Sequence, residues 1–191
     1  AVTKLIARCW LWLWRWTTVT SDAPLPQRCV LIAAPHTTNW DFPITLAMAK
    51  VSGIRIHWLG KDALFRGPMG PIMRRLGGVS IDRSAPGGMV AALAKELQTR
   101  DELRLVVPAE GTRSKTEYWK SGFYRIAQQA DVPIVLAYVD RSTRSGGFGP
   151  AIAVTGDVRA DMDRIREFYA GKTGLRPDRF GPIRLKEEDT A

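Results

Sequence analysis

The chain has 191 residues, enough for one domain with a sizeable core, and its 45% hydrophobic and 25% charged content is that of a globular protein. A formal net charge of +9 calls for an anionic partner: a membrane surface, phosphorylated substrates or nucleic acid. The two cysteines, Cys9 and Cys29, lie in apolar segments without metal-ligand spacing, and a reduced, cytosol-facing protein is the simpler reading.

The first segment, 2–18, carries Trp10, Trp12, Trp14 and Trp16, four of the seven tryptophans. On a helical wheel Lys4, Arg8 and Arg15 fall within about 40° of one another, opposite Val2, Leu5, Ile6, Cys9, Leu13 and Trp16. Its uncharged core, 9–14, is far shorter than the ~20 residues needed to span a bilayer. The pattern predicts an amphipathic helix lying in a membrane interface, indoles at the headgroups and cations toward anionic lipid. It lacks the apolar stretch and small-residue cleavage site of a signal peptide. The competing reading packs this helix on the protein's own core.

Residues 22–26 form a linker, and a strand is expected over 29–34. It runs into Pro35-His36-Thr37-Thr38-Asn39-Trp40-Asp41. His36 is the natural general base, because imidazole titrates closest to neutral pH. Asp41 can accept from its far ring nitrogen, provided a turn brings the two side chains together. Twelve aspartates and two histidines yield such a spacing by chance in roughly one chain in eight, so the pair alone decides little. Asp41 or Asn39 is expected to cap a helix over 42–51 that stops at Gly53.

A strand over 54–59 follows, with His57 read as structural, and Lys61 just beyond its end. A loop at 67–71, a short helix over 72–76 and a short strand lead to Arg83. Phe65, Met69, Ile72 and Met73 could wall an apolar groove but read as core. A helix over 88–99 places Val90, Leu93, Ala94 and Leu97 on one face. The strand over 103–107 ends in Pro108-Ala109-Glu110-Gly111-Thr112-Arg113-Ser114, a loop with the residue types of a phosphate site. Gly111 lets the backbone approach, Thr112 offers a hydroxyl and an N–H, and Arg113 can grip two oxygens. A helix over 123–130, a strand over 133–139, a solvated Ser/Gly-rich turn over 141–149, a strand over 151–156, a helix over 160–171 and a polar tail from 174 complete the chain.

Strands alternating with helices argue for an α/β fold with a mixed, largely parallel sheet flanked by helices. His36, Lys61, Arg83 and the Glu110–Arg113 loop all follow strands, and the carboxyl edge of such a sheet collects the ligand site.

These residues, in this order, resemble the glycerolipid acyltransferases related to lysophosphatidic acid acyltransferase. His36-x4-Asp41 matches the first family block, Gly78-x-x-Ile81-Asp82-Arg83 the second, and Glu110-Gly111-Thr112-Arg113-Ser114 with Trp119-Lys120-x-Gly122 the third. Val132-Pro133-Ile134-Val135 matches the fourth. Pro108-Ala109 stands where the family has Phe-Pro, Ile81 sits beside the usual aromatic position, Pro35 replaces a common Asn and Leu136 a frequent Pro. None of these removes a polar group from the chemistry.

The N-terminal helical pattern sets apart a membrane-interface helix at 1–22, and the resemblance, which covers about residues 29–156, implies an acyltransferase domain at 23–191. It implies transfer of a fatty acyl group from acyl-CoA or acyl-carrier protein to a hydroxyl of a lysophospholipid, foremost the sn-2 hydroxyl of 1-acyl-glycerol-3-phosphate. His36 and Asp41 would be catalytic. Arg83 and Arg113 would hold the acceptor's phosphate, with Lys61 a further cation, Gly111 and Thr112 shaping the site, and Glu110 bonding the glycerol part or ordering the loop. No metal and no cofactor beyond the thioester are expected. The partners are an anionic membrane surface, the lysolipid and the acyl thioester, at the cytoplasmic face of a membrane. Alternatives are another glycolipid or lysolipid acceptor, a lipid hydrolase, or a basic non-enzymatic lipid- or nucleic-acid-binding protein. No nucleic acid is expected, because no binding motif appears and the tryptophans flank a helix face rather than a strand platform.

Overall fold

The structure, a computed structural model, describes residues 2–20, 24–60, 62–80 and 88–189. Among these, seven strands form one sheet in the order β1-β7-β6-β2-β5-β3-β4. They are β1 (Thr17–Val19), β2 (Arg28–Ala33), β3 (His57–Gly60), β4 (Gly78–Ser80), β5 (Leu103–Val107), β6 (Ile134–Asp140) and β7 (Ser145–Ile152). From β6 to β4 the strands run parallel, while β7 returns antiparallel to β6 and β1 follows β7. The helices are α1 (Val2–Leu13), α2 (Asp41–Ser52), α3 (Gly70–Arg75), α4 (Gly88–Thr99), α5 (Gly122–Ala130) and α6 (Val158–Tyr169).

Alternation along each strand sorts the core into two layers. Val30, Ile32, Leu103, Leu105, Ile134 and Leu136 meet Leu93, Leu97, Phe123, Ile126, Met162 and Ile165 of α4, α5 and α6. Cys29, Leu31, Val135 and Ala137 face the other way, against Ala49 of α2. Burial on both faces is why 29–34 reads as a continuous apolar run. On the second face α1 lies over α2, with Leu11 packed on Ile44, Met48 and Val139.

Several expected boundaries move. The first helix ends at Leu13 rather than 18. Arg15 turns the chain at φ 57, and the β-branched Thr17-Thr18-Val19 then pairs with β7. α1 packs on the domain through Ala7 and Leu11, which are buried, while Val2, Leu5, Ile6, Trp12, Leu13 and Trp14 stay exposed. The stretch expected as a solvated turn over 141–149 is mostly strand β7, and only 141–144 turn. Its glycines admit neighbours: a Cβ on Gly147 would fall 1.8 Å from the Val19 carbonyl oxygen. α6 begins earlier than expected because Asp157 caps it, accepting from Ala160 N at 3.0 Å.

The polar tail is not free. Leu185 is fully buried, and Trp119 N donates to Arg184 O at 2.8 Å. Its charges pair with the domain's own: Glu187 with Arg125 and Glu188 with Arg166, each at 2.8 Å. Among the groove candidates, Phe65 is core, Met73 is half-buried, and Met69 and Ile72 are exposed.

Candidate active site

The carboxyl ends of β2 and β5 lie side by side, with Ile32 opposite Val107, so the loops that follow them meet. The first loop leaves β2 through a cis Ala34–Pro35 peptide and reaches α2 at Asp41. Neither Asp41 nor Asn39 caps the helix as expected. Trp40 occupies the cap position in a helical conformation with no side-chain capping bond. Asp41 instead turns its carboxylate back over the loop. Oδ2 accepts from the N–H groups of Thr37 and Thr38, both at 2.7 Å, and Oδ1 accepts from Thr38 Oγ1 at 3.1 Å. This is the turn that five-residue spacing required, and it sets Asp41 Oδ2 3.5 Å from His36 Nδ1. Asp41 is 4% exposed. A proton on Nδ1 directed at the carboxylate leaves Nε2 as the basic nitrogen.

Glu110 holds the same loop from the β5 side. Its Oε1 accepts from the His36 backbone N–H at 2.6 Å, and the residue is buried. Burial pushes its carboxyl up to about 7, against the lowering pull of the His36 N–H. Gly111 then turns at φ 69, where a Cβ would come 2.7 Å from Lys120 Cγ. Thr112 Oγ1 accepts from Ser114 N at 3.2 Å, and Arg113 donates to the Asn39 side-chain oxygen.

A cavity of about 320 Å³ opens at this edge, between α2 and the sheet. His36, Asn39, Asp41 and Arg113 give it a polar end, and Phe42, Ile56, Trp58, Val106 and Val139 an apolar one. A larger hollow of about 530 Å³ lies at the opposite, amino edge among Arg28, Gln98 and Pro133, and it contains none of the expected reactive groups. The structure thus brings His36, Asp41, Glu110 and Arg113 together. Gly111 and Thr112 shape the loop without lining the cavity. Lys61 and Arg83 lie outside the described residues. Among the described residues no three His, Cys, Asp or Glu side chains gather as metal ligands.

Sequence reasoning missed four contributors. Asn39 steadies Arg113. Thr37 is fully buried, and its Oγ1 accepts from Arg176 N at 3.0 Å. Gly174 presses on the same loop, where a Cβ would lie 2.8 Å from Thr37 Cγ2 and 2.9 Å from Pro35 Cβ. Thr173 N donates to buried Asp140 Oδ1 at 3.0 Å, anchoring that strap. A buried threonine inside the His–Asp loop was the one available signal, and the strap left none in local sequence.

The fold has a solved counterpart. The crystal structure of the 1-acyl-sn-glycerophosphate (LPA) acyltransferase PlsC from Thermotoga maritima superposes with a TM-score of 0.59 at 15% identity, covering 87% of this chain and 74% of that one. A search of curated proteins finds no match. A model of the acyltransferase family matches residues 17–139, a stretch holding both the His36–Asp41 pair and the Glu110–Arg113 loop. The chain belongs to the acyltransferase family.

Proposed function

We propose that this protein moves a fatty acyl group from a thioester, acyl-CoA or acyl-carrier protein, to a hydroxyl of a lysophospholipid at the cytoplasmic face of a membrane. The acceptor that best fits is 1-acyl-glycerol-3-phosphate, acylated at its sn-2 hydroxyl. One observation carries the reading: a His–Asp pair and an arginine line the same cavity as a set of apolar side chains, Phe42, Ile56, Trp58, Val106 and Val139.

His36 Nε2 takes the proton of the acceptor hydroxyl as its oxygen attacks the thioester carbonyl carbon. Asp41 holds the ring and balances the imidazolium charge. When the carbon–sulfur bond breaks, the imidazolium returns the proton to the leaving thiolate, giving an ester and a free thiol. Arg113 offers a planar pair of donors to the acceptor's phosphate, with Lys61 and Arg83 as further cations of the same role. Glu110 orders the His36 loop rather than touching glycerol, as its bond to the His36 N–H supports. The apolar end of the cavity receives the acyl chain.

Membrane placement draws support from α1, which shows Val2, Leu5, Ile6, Trp12, Leu13 and Trp14 to solvent. Among the described residues no helix is long and apolar enough to cross a bilayer.

The test is thiol release from palmitoyl-CoA or palmitoyl-acyl-carrier protein, with and without 1-acyl-glycerol-3-phosphate. Release that needs both acceptor and His36, with a diacyl phosphate as product, is the expected result. Free fatty acid formed without acceptor would identify a hydrolase instead.

A further inference from the structure

The molecule shows a second apolar surface besides α1. It lies on the segment between β3 and β4, made of a 3-10 turn, Asp62–Phe65, and α3. Met69, Ile72 and Leu76 are spaced three and four residues apart, and helical bonds run through them: Met73 N to Met69 O and Leu76 N to Ile72 O, both at 3.0 Å. They form one outward stripe. Met69 is 52% exposed, Ile72 50% and Leu76 47%, with Leu64 beside them at 46%.

The inner side of this segment is fixed. Phe65 is buried over Gly60 and Gly78, where a Cβ would come within 2.8 Å and 2.6 Å of its ring. Trp58 Nε1 donates to Leu76 O at 2.9 Å, and Arg74 Nη1 to Phe65 O at 3.0 Å. The stripe is therefore held outward on a rigid platform rather than left there by a loose loop.

Its location and charge indicate what covers it. Trp58 packs edge-on against Phe42 of α2 at 5.2 Å and lies 6.1 Å from Phe65, so α2, the cavity and this segment share one face of the sheet. α1 rests on that same α2. Residues 62–80 contain Arg66, Arg74 and Arg75 against one acid, Asp62, and residues 2–20 contain Lys4, Arg8 and Arg15 and no acid. Residues 1–80 carry ten cations against three acids, net +7, whereas residues 81–191 carry eighteen against sixteen, net +2.

We propose that α3 and the turn before it form a second docking surface for an anionic lipid bilayer. With α1 they contact the membrane on both sides of α2 and present the cavity to it. This rests on the reading that the acceptor is a membrane lipid. Isolated apolar side chains set among arginines suit the boundary between headgroups and acyl chains.

The experiment is co-sedimentation of the full chain with vesicles of phosphatidylcholine, with and without phosphatidylglycerol. Wild-type protein is expected on the anionic vesicles, and the double variant I72Q/L76Q should bind about 10-fold more weakly. Ile72→Trp should strengthen binding, which covers the case in which the double variant fails to fold. Transfer to a short-chain acceptor dissolved as monomers should stay within twofold in both. Equal binding by wild type, I72Q/L76Q and Ile72→Trp would overturn the second surface while leaving the enzymatic reading intact. Loss of transfer only from an acyl-carrier donor would give the patch to a carrier protein, and a change in oligomer size would give it to a second copy. Absence of wild-type binding to either vesicle, with transfer intact, would remove the membrane reading and this one together.

Discussion

The two faces of the sheet are built to different ends. Behind it, α4, α5 and α6 close on the strands so tightly that Leu97, Leu105, Phe123, Ile134 and Met162 have no exposed surface at all. In front, α2 leaves room for a cavity of about 320 Å³, and α1 and α3 turn large apolar side chains to solvent. The ionic decoration differs as well. The C-terminal segment neutralises itself through Arg125–Glu187, Arg166–Glu188 and Arg184–Glu117. Rigidity sits behind the sheet, and an unfilled, cationic, apolar surface in front of it. For the membrane-lipid acceptor proposed above, that division would hold the His36 loop still while the substrate moves.

If the front face is chemical and the back face structural, substitutions should separate turnover from stability. The largest expected effect is in front: His36→Ala should lower turnover by ~10²- to 10⁴-fold while the circular dichroism spectrum stays that of the folded protein. Near-normal transfer by folded His36→Ala would break the comparison at its centre. Behind the sheet, Phe123→Ala should cost ~3–5 kcal/mol in urea unfolding without changing turnover per folded molecule. A large loss of turnover there would mean the back face carries chemistry.

Glu110 sits between these two behaviours. Unfolded, its carboxyl titrates near 4.5, and folded at about 7. The native state holds that proton more tightly, so its contribution to stability is complete below pH 4.5, declines as pH rises to about 7 and is constant above. The full span amounts to about 3 kcal/mol. Glu110→Gln keeps an oxygen for the His36 N–H but cannot titrate. Unfolding midpoints at pH 5 and pH 7.5 should differ for wild type by more than for the variant, and an identical slope in both would remove Glu110 as the source.

The sequence declared the motif side of this site and hid its supports. His36, Asp41, Glu110 and Arg113 were legible because such side chains come as particular residue types after particular strands, and they lie together, whereas Lys61 and Arg83, which the same argument included, lie outside the described residues. Asp41 was misjudged as a helix cap because a carboxylate before a helix usually satisfies the helix's own N–H groups. Here the N–H groups of Thr37 and Thr38 compete for it and win. The strap at 173–176 was unreadable for another reason. Its contacts to Thr37 and Asp140 span 139 and 33 residues, and they are made by backbone N–H groups and a missing Cβ, which carry no side-chain signature. The Gly146-Gly147 stretch misled in the same way, since glycine demanded by a close neighbour looks like glycine demanded by a turn.

That hidden support gives the next prediction. Gly174→Ala would press a methyl on Thr37 and Pro35, in ordinary backbone conformation, from outside the segment that the family model matches. A displacement of a few tenths of an ångström at the His36 loop should lower kcat roughly 10-fold, with KM for the lysolipid unchanged. A rise in KM alone would place the strap at the acceptor site and not at the base.

The smallest effect is the sharpest comparison, because it uses neighbours on one strand. Leu105 and Val106 of β5 point to opposite faces, Leu105 into the packed rear layer and Val106 into the cavity. The same enlargement should therefore do opposite things. Leu105→Phe meets no free volume and should cost ~1–3 kcal/mol of stability with the chain-length preference unchanged. Val106→Phe enters open space, so unfolding should barely move. What it removes is room for the acyl chain, at about 0.8 kcal/mol for each methylene shut out, a factor of about 4 in kcat/KM. The ratio of lauroyl to palmitoyl transfer should rise several-fold in Val106→Phe and stay at the wild-type value in Leu105→Phe. If both thioesters slowed equally in Val106→Phe, the cavity would hold something other than the chain, and the acyl group would have to lie elsewhere on the front face.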